Sequence, residues 1–356
     1  KDQPSRSRAS DDSFEVCADS FLHDRGGLMA NLDWRGPADS SDAELIMAAF
    51  RRWGDSFVDH LNGSFSIAIL DRRRGALLLV CDPVGSRFLA YHERDGLVAF
   101  ASTALALTAF PGVGHQLDEE RLAEVIALGY GTDRTFVRGV RSIPPGTAMW
   151  CEGSGVRRWR WWLPNGPIVD DLGSLSKHAE ALRDELERSV RSTLRGAARP
   201  GVRLSGGLDS SSVAAVAAGQ VGNRSIRTYT VVPPPGWNGP VLPGWIPDER
   251  FAVESLARRH PNLKAQFLHI RGFSLFEHHE KLWELGAGPI RNPLNSIWGH
   301  LIHQEAAADG VDVLLEGGNG NFAFSADGPR WLAELALRGR LIRMTREALS
   351  WAEARD

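Results

Sequence analysis

The sequence predicts an α/β protein in two parts, a β-rich layered sandwich followed by a domain built on a parallel sheet. Three observations lead there. In the first half, short apolar runs separated by turn residues carry strand periodicity, as in Gly63–Leu70, where Phe65, Ile67 and Ile69 alternate with smaller residues. Beyond about residue 200, strand-like and helix-like runs alternate, the pattern of a parallel sheet with crossover helices. Between the two, Trp159-Arg160-Trp161-Trp162-Leu163-Pro164-Asn165-Gly166-Pro167 breaks the composition, so domains are expected at 1–163 and 164–356.

The 356 residues suffice for two cores, and 43% apolar with 24% charged residues is ordinary for a globular chain. A formal net charge of −3 points to no polyanionic partner, and no nucleic acid is expected. Cys17, Cys81 and Cys151 are far apart and form no metal-binding spacing, so neither a disulfide framework nor a zinc site is expected, and a reducing cytoplasm is the simplest compartment. No apolar run approaches the ~20 residues that span a bilayer.

In chain order, Lys1 to about Asp12 is polar and aperiodic and reads as a mobile start. Phe14–Phe21 is a strand. Ser41 and Glu44 stand in capping-box register before a helix whose Leu45, Ile46, Ala49, Phe50 and Trp53 recur at helical spacing. Strands follow at Gly63–Leu70, Ala76–Cys81 and Val98–Ala101, the last after a turn at Arg94-Asp95-Gly96. A long helix is expected over Leu175–Arg195, with Leu182, Leu186, Val190 and Leu194 on one stripe. Further strands are expected at Val202–Leu204, Ile226–Val232, Ala265–Ile270 and Val311–Leu315, with helices at Ser211–Ala218, Glu249–Arg259 and Ile297–Ala308.

The densest chemistry lies in Leu204-Ser205-Gly206-Gly207-Leu208-Asp209-Ser210-Ser211, where a strand end runs through two glycines into a carboxylate and hydroxyls. Adjacent glycines let the backbone turn and present N–H groups, and a helix starting at Ser210 or Ser211 aims its positive end at the same place, which makes a pyrophosphate cradle. Asp209 is an oxygen ligand suited to the Mg²⁺ of a triphosphate. The plainer alternative is a turn with Asp209 or Ser210 as N-cap. Ligands of parallel sheets sit beyond the carboxyl ends of the strands, where Val231, Glu316 and Gly317 also fall.

This loop, SGGLDSS, resembles that of the ATP pyrophosphatases, and with its surroundings the chain resembles the asparagine synthetase family, which cuts ATP between its α and β phosphates to activate a carboxylate. The resemblance implies an Ntn-type glutaminase-like sandwich ahead of an ATP pyrophosphatase domain. Leu61–Ala68, Asp82–Tyr91, Phe100-Ala101-Ser102 and Val140–Trp150 resemble phrases of the former. In working glutaminases of this kind the nucleophile is a cysteine at the first position; here Lys1 stands first and Cys17 lies in a predicted strand, so no glutaminase activity is expected. No lysine follows Lys281 to serve as the family's downstream lysine, and a missing C-terminal part is the favoured reason.

Within the family, Gly317, Gly320-Asn321 and Ser325-Ala326-Asp327-Gly328, with Pro235–Pro240 and Pro289–Asn295, resemble the lasso peptide cyclases. Asn321 stands where the family usually has a Mg²⁺-binding aspartate, a neutral ligand in place of a charged one. The resemblance implies ATP and Mg²⁺ as cofactors, a precursor peptide as substrate, and a leader peptidase and leader-recognition protein as partners. Asp209, Arg291 and Asn321 are the expected catalytic residues, and Arg291, Asn292, Asn295 and Asp327 the expected peptide contacts, the first three of these following the break at Gly286–Pro289 so that the next helix sets them at the mouth of the nucleotide site; the plainer alternative makes Arg291 a surface charge and the two asparagines capping and turn residues. A small-molecule amide or β-lactam synthetase, and a degenerate peptide-binding protein on the ATP fold, remain the alternatives.

Overall fold

The computed structural model describes residues 7–129, 133–153, 155–164, 172–241, 246–270, 280, 283–284, 288–289, 292–320, 325 and 329–353. The chain forms two compact units, Lys1–Ser174 with Gly272–His300, and Leu175–Arg271 with Leu301–Asp356.

The first unit is β-rich. Strands β1 (Arg8–Ser10), β2 (Phe14–Leu22), β3 (Gly63–Asp71), β4 (Ala76–Cys81), β8 (Thr147–Glu152) and β9 (Gly155–Arg160) make a six-stranded antiparallel sheet in that order. A second sheet runs β6-β5-β7, from β5 (Ala90–Arg94), β6 (Leu97–Ala101) and β7 (Arg141–Ser142). Helices α1 (Arg25–Asn31) and α2 (Asp42–Trp53) supply Leu28, Leu45, Ile46, Ala49 and Phe50 to a core that also takes Val16, Phe65, Ile67, Ile69, Leu78 and Trp150. The capping box at the start of α2 is formed in both directions: Ser41 Oγ accepts from Glu44 N–H, and Glu44 accepts from Ser41 N–H at 2.6 Å.

One expectation in this unit needs correction. Arg8–Ser10 is not a mobile start but an edge strand, paired antiparallel with Glu15–Cys17; a strand so short, with only Ala9 turned inward, carries no readable period. The break at Trp159 overlaps β9, the opposite edge, where five of the six residues are exposed and apolar alternation is absent. Helix α3 (Glu119–Ile126) and strand β5 were not foreseen.

The second unit is a four-stranded parallel sheet in the order β12-β11-β10-β13, with β10 (Pro200–Arg203), β11 (Ile226–Val232), β12 (Leu263–His269) and β13 (Val313–Glu316). Helices α4 (Leu175–Thr193), α5 (Leu208–Gln220) and α6 (Arg250–Arg259) cover it. Val213, Ala214, Ala217 and Ala218 of α5 pack with Val202, Leu204, Ile226 and Leu315 of the sheet, the alanines letting helix and strands come close. On α4, Leu186 and Val190, followed by Leu194, reach this core as expected, whereas Leu182 is exposed. Helix α5 starts at Leu208, earlier than expected, because Gly207 takes the N-cap position in extended backbone. Helix α7 (Pro293–Ala308) also starts earlier, at its proline, and α8 (Pro329–Leu337) and α9 (Leu341–Glu353) close the described chain.

The sheet order places its switch point at β10: β11 and β12 lie on one side, β13 on the other. The crevice of such a sheet opens between the carboxyl ends of β10 and β13.

Candidate functional site

The loop after β10 and the loop after β13 meet at that switch point. A Cβ on Gly317 would lie 2.4 Å from Ser210 N and 2.7 Å from the Asp209 carbonyl carbon, so only glycine allows the β13 loop to lie against the first turn of α5. A Cβ on Gly320 would lie 2.3 Å from Asp209 Cγ and 2.6 Å from both carboxylate oxygens. Asn319 makes the turn between them in the left-handed region, at φ 63°.

The first loop is braced by its hydroxyls. Ser210 Oγ, buried, lies 2.8 Å from Ser205 Oγ and accepts from Ser205 N–H at 3.0 Å, while Ser205 Oγ accepts from Gly207 N–H at 3.2 Å. Ser211 Oγ donates to the Ser205 carbonyl at 3.3 Å. Leu204 N–H donates to the Tyr229 carbonyl at 3.0 Å, extending the β10–β11 ladder to the mouth of the loop. Ser205 and Ser210 thus shape the cradle from within.

Asp209 is the open group. Its Oδ1 is buried and has no hydrogen-bond partner among the described residues, although the backbone of the facing loop is close enough to exclude any side chain at Gly320. A desolvated carboxylate oxygen is costly without a partner, which is the condition a cation relieves. No group of three or more His, Cys, Asp or Glu that could hold a metal occurs among the described residues. Asp209 fits as a protein ligand to an ion that is also held by phosphate oxygens and water, the manner in which Mg²⁺ is usually held beside a nucleotide.

Three neighbours complete the picture. Arg203 Nη1 lies 3.5 Å from Glu316 Oε2, joining the ends of β10 and β13. Thr230 is 1% exposed on β11 and its Oγ1 has no partner; Val231 next to it is half-buried. Glu249, just ahead of α6, lies against Gly206, its Oε1 3.5 Å from where a Cβ on that glycine would stand, and burial raises its carboxyl above the ordinary range. Glu249 is absent from the sequence-derived site because it approaches the loop from a distant segment, which leaves no local pattern.

Arg291, Asn321 and Asp327 lie outside the described residues. Asn292 caps α7, its Oδ1 accepting from Asn295 N–H at 3.3 Å, and both asparagines are exposed and belong to the first compact unit. In that unit a cavity of about 430 Å³ is lined by Cys17, Leu70, Leu77, Phe100, Cys151 and neighbours. Burial raises all three thiols, Cys81 to about 12 and Cys151 to about 11, with Cys17 also raised, so none of them is a ready thiolate.

A parallel sheet with a glycine-rich, carboxylate-bearing loop at its switch point defines a nucleotide-binding α/β class. Comparison with known proteins narrows it. Residues 28–162 match the glutamine amidotransferase domain and residues 181–353 match asparagine synthase. The chain belongs to the asparagine synthetase family. It is 28% identical over 238 residues to the glutamine-hydrolysing asparagine synthetase 3 of Bacillus subtilis, a match covering 64% of this chain and 38% of that protein. It is 28% identical over 180 residues to asparagine synthetase B of Escherichia coli (49% and 27%), and 29% identical over 208 residues to the amidase chry2 of Gibberella zeae (54% and 30%). The matches thus span between 27% and 38% of the length of these relatives. Among the described residues no helix is long and apolar enough to cross a membrane.

Proposed function

We propose that the chain carries the synthetase part of an AMP-forming amide ligase, and that its acyl donor is an Asp or Glu side chain of a precursor peptide, closed onto the peptide's own N-terminal amine as in lasso peptide cyclases. The observation that supports the first part is Asp209, a buried carboxylate oxygen left open at the mouth of a glycine-rich loop. In the reaction, a carboxylate oxygen attacks the α-phosphorus of ATP and the bond to the bridging oxygen breaks, releasing pyrophosphate. The amine then attacks the acyl carbon, AMP departs with the C–O electron pair, and the amine gives up a proton. Bound Mg²⁺ would neutralise phosphate charge; Asp209 would hold it, and the backbone N–H groups of Ser205–Gly207 with the start of α5 would hold the phosphates.

The peptide part rests on the likeness of Gly317, Gly320-Asn321 and Ser325–Gly328 to the cyclases. The raised thiols agree with an amine supplied by the substrate instead of by glutamine hydrolysis at any of these cysteines. An amine tethered to its acyl donor also turns the second step into an intramolecular one. The names of the curated relatives, asparagine synthetase among them, favour a second reading, amidation of a small carboxylic acid. Incubation with ATP, Mg²⁺ and a linear leader-free peptide separates them: the cyclase reading expects a product lighter by one water together with AMP, independent of glutamine. Amidation of aspartate in the same assay, with the peptide unchanged, would replace it with the second reading.

A further inference from the structure

We propose that Glu316, beside Arg203, is the amine-receiving group of the ligase: its carboxylate takes up the substrate's ammonium at the crevice between β10 and β13 and accepts the proton that the amine must lose before it attacks the activated carboxyl. The inference rests on the reading of the site as an AMP-forming ligase.

Arg203 and Glu316 are partners in the last register of the β10–β13 ladder. One residue earlier, Val202 and Leu315 pack with α5 in the core of this unit. Alternation along the strands therefore turns Arg203 and Glu316 to the other face, where a Cβ on Gly201 would meet the side chains of Val311, Leu314 and Tyr229. Gly317, the next residue, lies against the first turn of α5, so Glu316 stands one residue from the cradle. The carboxyl edge of the sheet thus carries the start of α5 on one face and an ion pair on the other, at the switch point where ligands of such sheets bind.

The pair is loose. Arg203 Nη1 and Glu316 Oε2 stand 3.5 Å apart, the side chains are 36% and 53% exposed, and neither side chain has another hydrogen-bond partner among the described residues. Glu316 Oε1 lies 3.1 Å from where a Cβ on Gly318 would stand, so the carboxylate lies back along its own loop. At the amino end of the same sheet, Arg227 and Asp309 stand 3.1 Å apart and Asp309 also accepts from Tyr229 Oη at 2.8 Å, a tighter arrangement with a structural task. A carboxylate with unused lone pairs beside a single guanidinium has room for a second cation. An ammonium held there gives its first proton to Glu316, which passes it to water. The neutral nitrogen then forms the C–N bond, the acyl C–O bond breaks with its electron pair on AMP, and the second proton leaves the now positively charged nitrogen to water.

The test uses the full chain as wild type, Glu316→Gln and Asp209→Ala, with ATP, Mg²⁺ and the linear leader-free peptide. Three quantities are read: exchange of labelled pyrophosphate into ATP, ring closure by mass, and hydroxamate formation from the N-acetylated peptide with hydroxylamine, a nucleophile already neutral at pH 7. Glu316→Gln is expected to lower ring closure by about 100-fold while exchange and hydroxamate formation fall by less than about 3-fold, at an unchanged unfolding midpoint. Asp209→Ala is expected to lose all three. Wild-type closure by Glu316→Gln, or loss of exchange or hydroxamate in step with closure, would overturn the inference and leave the ligase reading standing. Absence of exchange or of closure in the wild type would instead remove that reading, and this inference with it.

Discussion

Asp82 and Asp209 are both carboxylates beside a glycine-containing loop that follows a strand, Asp82 at the head of its loop and Asp209 in the helical turn that ends its own, one in each unit, and the fold treats them oppositely. Asp82, fully buried after β4, is saturated: Oδ1 accepts from Val84 and Ser86 N–H at 2.9 and 3.1 Å, and Oδ2 from Phe65 and Arg87 N–H at 3.1 and 3.3 Å. Asp209, less buried, keeps an oxygen with no partner among the described residues. A carboxylate whose lone pairs are spent on backbone N–H groups ties a turn to a strand. One left open at a loop mouth is a ligand in waiting. The contrast separates structure from function with two residues of the same type.

The sharpest way to break that comparison is to remove each group. Asp82→Ala leaves four backbone donors without their acceptor and is expected to lower stability by about 3–5 kcal/mol, read as a fall in the denaturant midpoint. Asp209→Ala empties no core and is expected to leave the midpoint unchanged or slightly raised, since the open oxygen costs desolvation. Equal losses in the two variants would show Asp209 to be structural.

A smaller effect is expected from the glycines facing Asp209. Gly320→Ala drives a methyl into the carboxylate, at 2.3 Å from Cγ, and a displacement of that order is expected to reduce ATP turnover by about 10- to 100-fold. Gly318→Ala meets only the end of the flexible Glu316 side chain, 3.1 Å from Oε1, and is expected to lower turnover by less than about 3-fold. Steady-state rates for the pair check this; equal effects would mean that the loop as a whole, not its contact with Asp209, matters.

The parts of the molecule that could be read from the chain are those whose reason is local. The capping box at Ser41 and Glu44, the apolar alternation of β3 and the Gly206-Gly207 turn each carry their cause within a few residues, and each appears where expected. The edge strands β1 and β9 escaped because an edge exposes both faces and dissolves the period of two. The expectation that Asp209 is a metal ligand rests on residue type and position. The contact of Asp209 with Gly320 was not legible in the chain: Gly320 lies beyond β13, a proximity that only the folded sheet creates.

The most direct test of the central claim, that Asp209 is the open metal-side ligand of an AMP-forming site, is exchange of labelled pyrophosphate into ATP by wild type and Asp209→Ala, with the nucleotides separated by chromatography. The expected result is Mg²⁺-dependent exchange and AMP in the wild type, with a loss of about 100-fold or more in the variant at unchanged stability. Wild-type exchange by Asp209→Ala, or ADP as the main product, would contradict it.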